Sequence, residues 1–197
     1  MEHVMARPRE FDADQALDQA MHLFWERGYE ATSMQDLVDR TGVHRGSLYA
    51  TFGNKEKIFL AVLDRYTACV GEPVARELLG SDRPIAAFKK LMRRRVEEYA
   101  NGEHVHGCLM ANAAAEIGPD EPKLYDKNNR LLRWREEFLY DAMSKAKAVG
   151  ELGAGTDPRR VARFLNAFLT GLTVLLRTRP DPEVVSDSVE QALTALQ

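Results

Sequence analysis

TSMQDLVDRTGVHRGSLYATFGNKEK, from Thr32 to Lys57, decides how the rest of the chain is read. Ser33, with Asp36 three residues on, is a capping pair that opens a helix, and Met34, Leu37, Val38 and Thr41 recur on one face of it. Gly42 supplies the stop. Val43 returns to the apolar layer, and His44, Arg45, Gly46 and Ser47 begin a second short helix whose buried side is Leu48 and Phe52. Two short helices meeting across a glycine, the second with a polar, small and outward first turn, have the grammar of a helix-turn-helix.

A second helix of this kind, laid in a DNA major groove, sets its N-terminal residues against base edges. His44, Arg45 and Ser47 can hydrogen-bond there, and an arginine held bidentate to guanine is worth roughly 1–3 kcal/mol of discrimination. Gly46 lets the backbone come close. Tyr49 and Lys55 suit phosphates, the lysine because it sits at the positive end of the next helix.

At these residues the chain resembles a known family. Phe11 to Tyr66 is similar to the N-terminal domain of the tetracycline-repressor-like (TetR) transcription regulators, through Leu23-Phe24, Gly28-Tyr29, Thr32-Ser33, Gly42-Val43, Gly46-Ser47-Leu48-Tyr49, Phe52 and Lys55-Glu56. The resemblance is close over about a third of the chain. It implies an all-α fold in which a helix-turn-helix DNA-binding domain, residues 1–57, precedes a helical ligand-sensing and dimerisation domain, residues 58–197. It adds Thr32 and Ser33 to the DNA contacts, and it implies a double-stranded operator and a small-molecule effector.

Composition neither announces nor forbids this. A chain of 197 residues with 45% hydrophobic residues holds an ordinary core, but the net charge is −3. Over residues 1–57, Arg7, Arg9, Arg27, Arg40, Arg45, Lys55 and Lys57 are outnumbered by acids. DNA affinity then has to come from local placement and from two subunits acting together. No apolar run approaches the roughly 20 residues of a membrane helix, and the first residues lack a signal-peptide core, so the expectation is a cytoplasmic protein without membrane contact. Cys69 and Cys108 are too few for a disulfide framework.

Taken in order, Arg7-Pro8-Arg9 reads as a basic arm suited to a minor groove. Asp12 caps a first helix with Leu17, Ala20, Met21 and Phe24 inward. Asn54 caps a fourth helix that carries Ile58, Phe59, Val62, Leu63 and Tyr66, ends near Val70, and is the expected lever between domains. From Gly71 on, glycine and proline act as punctuation. Pro84, Pro122, Pro158 and Pro182 fit first helical turns, the last two behind caps Asp157 and Asp181. Helices are expected near 83–101, 106–117, 121–148, 158–178 and 182–196, making nine in all, with no strand.

The helix at 158–178 is more apolar than one core requires, with Val161, Phe164, Leu165, Phe168, Leu169, Leu172, Leu175 and Leu176. The resemblance implies that it and the helix at 182–196 pair with their symmetry mates, giving a homodimer with recognition helices ~34 Å apart or somewhat more. It also implies a pocket among the middle helices, with Met92, Val96, Tyr99, Met110, Leu131, Trp134, Phe138, Phe168 and Leu172 as candidate walls.

His104-Val105-His106-Gly107-Cys108 adds chemistry. A cysteine close to a helix start, with histidines upstream, is placed for reaction with electrophiles or oxidants, and the run from Gly107 to Glu116 resembles a TetR subgroup in which some members sense through a cysteine here. Buried packing is the plainer role for Cys108. His104, His106 and Cys108 also suggest a metal-responsive alternative, with Cys69 or Glu116 as a further ligand. No phosphate loop, nucleophile elbow or His-Glu-x-x-His pattern points to an enzyme, and no cofactor is implied. A helical adaptor for another protein is the remaining alternative for residues 72–197.

Overall fold

A computed structural model describes residues 11–103 and 106–196, and among these the chain is helical without a strand. The expected arm at Arg7-Pro8-Arg9 and the side chain of His104 lie outside the described residues. The α-helices are α1 (Ala13–Arg27), α2 (Met34–Thr41), α3 (Arg45–Phe52), α4 (Lys55–Tyr66), α5 (Glu72–Gly80), α6 (Pro84–Ala100), α7 (Leu109–Glu116), α8 (Pro122–Ala148), α9 (Pro158–Arg177) and α10 (Pro182–Thr194).

Most boundaries follow from the caps. Asp12 Oδ1 accepts from the Asp14 and Gln15 amides, both at 3.0 Å, and Asn54 Oδ1 accepts from Lys57 at 2.9 Å. Asp157 and Asp181 accept from the amides of Arg159 and Glu183. The four prolines stand at first-turn positions, where no intrahelical N–H is lost.

One expected boundary is wrong. The fourth helix does not stop near Val70: α4 runs through five π-helical residues, Thr67–Gly71, straight into α5, so that nine continuous helices are present among the described residues. The reason is packing. A Cβ on Gly71 would sit 3.0 Å from the Trp134 ring, so the glycine is there to admit α8 rather than to end a helix. Helical glycine costs only ~1 kcal/mol relative to alanine, which such a contact offsets.

Two apolar clusters hold the molecule together. In the first, Phe24, Tyr29, Leu37, Leu48, Phe59 and Leu63 of the N-terminal helices pack with Leu109, Met110, Ala113 and Ile117 at α7 and with Leu124 of α8. Phe24 and Phe59 meet edge to face, with centroids 4.9 Å apart. The second joins α5, α6, α8, α9 and α10. Arg65 bonds Asp18 with both nitrogens at 2.7 and 2.8 Å, which ties α4 to α1. Lys123 and Lys127 of α8 reach Glu56 and Asp64 of α4.

Within α9, Val161 and Leu165 are in the core, whereas Phe164 and Val174 are 44% and 53% exposed. In α10, Val185, Val189 and Leu193 are buried, as is Leu196 just beyond it, and only Val184 among its valines faces outward. The apolar excess expected of both helices is thus carried mainly by α9.

Candidate functional site

The helix-turn-helix is built by short-range hydrogen bonds. Ser33 Oγ accepts the Asp36 amide at 3.1 Å while Asp36 Oδ2 accepts the Ser33 amide at 2.8 Å. The Ser33 hydroxyl and backbone, then Arg27, hold the Asp36 carboxyl below its ordinary range. Gly42 ends α2 in the left-handed region, φ 65°, with its N–H on the Val38 carbonyl. His44 caps α3: its Nδ1 accepts from the Gly46 amide at 3.2 Å, so the neutral ring carries its proton on Nε2, the nitrogen left for an outside partner.

Beyond the cap, the first turn of α3 is open. Arg45 and Gly46 are exposed, Tyr49 is 45% exposed and Ser47 is half-buried. His44, Gly46 and Ser47 line a shallow depression together with Gly42, Val43 and Ala50. Arg45 Nη2 bonds Gln35 Oε1 at 3.2 Å, and Gln35 Nε2 bonds Asp39 at 2.8 Å, so α2 orients the arginine. Sequence reasoning did not single out Gln35, since an exposed glutamine on a polar helix face carries no signal of its own.

Two residues expected at the DNA surface have inward duties. Thr32 is 0% exposed and its hydroxyl donates to the Gly28 carbonyl at 2.7 Å, so its side chain braces the turn between α1 and α2 instead of reaching a duplex. Lys55 is half-buried, donates to the Tyr29 carbonyl at 3.0 Å and stands 4.1 Å over the Tyr29 ring. Two of its ammonium protons remain for an outside acceptor.

The second site is a cavity of about 200 Å³ where the two clusters meet. Met92, Val96, Tyr99 and Met110, named above as candidate walls, line it. Trp134, Phe138, Leu172 and Cys108 do so too. Leu131, Phe168 and His106 do not: Leu131 packs on the first cluster, Phe168 stacks on Phe164 at 6.2 Å, and His106 gives its carbonyl to Asn112. Gly107 has φ 66°, and a Cβ there would come within 2.7 Å of Thr173, so α9 closes directly over the loop before α7.

The cavity's polar end was missed from sequence. Tyr66, on the stripe read as plain core, is 4% exposed; burial, then Cys108, pushes its hydroxyl pKa well above the ordinary value. Arg135, in a charged stretch that reads as a solvent face, is 5% exposed and donates from Nη1 to Cys108 Sγ at 3.7 Å. Trp25 of α1 donates to the Gly107 carbonyl at 2.9 Å. Among the described residues no three His, Cys, Asp or Glu side chains gather as a metal ion requires. Cys108 has a guanidinium for a neighbour instead, which disfavours a bound cation, and His104 of the suggested His104/His106/Cys108 cluster lies outside the described residues.

Known proteins share both sites' framework. Residues 16–62 match the family described as bacterial regulatory proteins, tetR family, and residues 84–193 match the tetracyclin repressor-like C-terminal domain. The chain is 34% identical over 172 residues to the HTH-type transcriptional repressor ComR of Escherichia coli, covering 87% of this chain and 82% of that one. It is 32% identical over 193 residues to the uncharacterized HTH-type transcriptional regulator YezE of Bacillus subtilis, covering 98% and 100%. Among solved structures, a cysteine-substituted TetR family transcriptional regulator, CifR, complexed with 26-bp double-strand operator DNA, superposes with a TM-score of 0.86 at 31% identity, covering 98% of this chain and 100% of that one. With a capped and open reading helix in front and a helical cavity domain behind, matched over both parts, this chain belongs to the TetR family of DNA-binding transcriptional regulators.

Proposed function

We propose that the protein is a repressor that grips its operator as a homodimer and releases it when a small molecule fills the cavity or modifies Cys108. The observation that carries this reading is the first turn of α3, whose His44 and Arg45 are exposed and already oriented by Gly46 and Gln35. His44, Arg45, Gly46 and Ser47 meet base edges; Ser33, Tyr49 and Lys55 meet phosphates; Thr32 holds the turn that positions them. Residues 1–57 do the reading, and residues 58–197 sense and dimerise. A relative named as a repressor and a neighbour solved on operator DNA support the direction of the effect.

The exposed face of α9, with Phe164, Ala167, Gly171 and Val174 at helical spacing, is the dimer surface, extended by Val184 of α10. Its small residues let two copies approach closely. No helix among the described residues is long and apolar enough to cross a membrane, and a DNA reader of this kind works in the cytoplasm.

Release is a population shift: the filled or modified cavity favours a spread in which the two α3 helices no longer fit successive grooves. Selection of bound duplexes from a random pool tests the reading. Two half-sites separated by about one helical turn (~34 Å) or somewhat more are expected. Recovery of single half-sites counts against the dimer, and absence of any enrichment counts against DNA reading.

A further inference from the structure

The cavity wall holds two arginines, Arg95 and Arg135, and neither an aspartate nor a glutamate among the described residues. Arg95 has its carboxylate elsewhere, in Glu98 at 2.9 Å. Arg135 forms no ion pair among the described residues. Its Nε donates to Asn166 Oδ1 at 2.7 Å, its Nη2 donates to the Asn166 carbonyl at 3.2 Å and to Thr170 Oγ1 at 2.6 Å, and its Nη1 reaches Cys108 Sγ at 3.7 Å. A guanidinium has five N–H groups, so one proton on Nη1, at the cavity end, is left without an acceptor.

A cation that is 5% exposed and bonded to two amide oxygens, a hydroxyl and a sulfur, with no carboxylate beside it among the described residues, is held in place without a carboxylate partner. Burial of a charge is costly unless an opposite charge answers it. Asn166 and Thr170 of α9 fix the plane of the guanidinium, so its open edge is aimed and rigid before anything arrives. The rest of the cavity wall is mainly aromatic and aliphatic, with Trp25, Trp134, Phe138 and Leu172 among its residues.

We infer that the effector is a small organic anion, an apolar body ending in a carboxylate that seats on the open edge of Arg135. This rests on the cavity being the effector site, as proposed above. The size follows from the volume: a dry cavity of ~150 Å³ holds benzene, so about 200 Å³ holds a ring with a short acidic arm, roughly ten non-hydrogen atoms. The carboxylate accepts a hydrogen bond from the free Nη1–H, and the ring lies against Trp134. Because Arg135 is anchored on α9, the arrival of the anion is felt by the helix assigned to the dimer surface.

The chain's two tryptophans, Trp25 and Trp134, both line the cavity, so intrinsic emission reports occupancy. The full-length protein is titrated at fixed ionic strength with phenylacetate and, in parallel, with phenylacetamide, then with hexanoate and hexanamide. The acids should bind at least about tenfold more tightly than their amides, since a charge-assisted hydrogen bond replaces a neutral one. Arg135→Gln should bring acid and amide within about twofold of each other while the amide still binds, and Arg135→Lys should keep the preference. Equal affinities in the wild type, a preference for the amides, or a preference that survives Arg135→Gln overturns the anion assignment and leaves the cavity reading standing. Binding of none of the four probes overturns both. Should circular dichroism show Arg135→Gln unfolded, the wild-type acid-to-amide ratio and the lysine variant decide alone.

Discussion

Glu116 at the end of α7 holds the backbone of Tyr29 at the start of the turn into α2, with Oε2 accepting the Tyr29 amide at 2.8 Å. Its other oxygen lies 3.6 Å from Arg177 at the end of α9. Gly28 makes the approach possible: its φ is 92°, and a Cβ there would stand 2.2 Å from Glu116 Oε1. The eight-residue α7 thus runs from Cys108, on the cavity wall, to the turn that carries the reading helices. This is a second physical connection between the cavity wall and the helix-turn-helix, beside the α4 lever expected from sequence.

Glu116→Ala should lower stability by about 1–2 kcal/mol, the worth of a part-exposed charge-assisted hydrogen bond. Gly28→Ala should cost more, because strain at positive φ adds to the collision with the carboxylate. Urea denaturation of the two variants checks the order; an alanine at residue 28 that is tolerated better than one at residue 116 contradicts the clamp.

Arg45→Ala should relax selectivity at one base of each half-site by about 1–3 kcal/mol and leave thermal stability unchanged. Lys55→Ala should weaken all duplexes alike, reduce the salt slope by about 1, and also lower the melting temperature, because the Tyr29 brace goes with it. Anisotropy titrations at several salt concentrations separate the two. A lowered melting temperature with an unchanged slope means that Lys55 is a brace only.

Cys108→Ser should bind operator normally and ignore N-ethylmaleimide, whereas Cys69→Ser should still be released by it. Cys69 is exposed in the π-helical turn, away from the cavity wall, so its labelling should be silent. Mass spectrometry of the labelled sites alongside a gel shift makes the comparison. Release of the Cys108→Ser variant by the reagent would remove the thiol branch of the mechanism.

Val174→Glu should yield folded monomers. The position is 53% exposed, so a surface substitution there changes subunit stability by less than ~0.5 kcal/mol, while two charges facing across a two-fold oppose association. Sedimentation velocity reads the outcome, and a dimer that persists at low micromolar concentration moves the interface elsewhere.

What could be read in the sequence is what is decided within a turn of helix. Ser33 with Asp36, Gly42, Asn54, Asp157 and Asp181 each satisfy backbone groups two to four residues away, so helix starts and the stop before α3 were legible from order alone. The candidate cavity walls came from the family resemblance and not from periodicity, because an inward stripe reads the same whether it meets protein or ligand. What was not legible depends on partners far along the chain. Glu116 finds Tyr29 across 87 residues and Trp25 finds Gly107 across 82, and neither pair shares a helix whose spacing would announce it. Gly71 reads as a break until Trp134 is laid on it, Thr32 as a surface hydroxyl until the turn folds over it, and Arg135 as a solvent charge until α9 covers it. Caps and stripes are local free energies written in neighbouring residues; which polar group ends up buried, and against what, is settled only when whole helices pack.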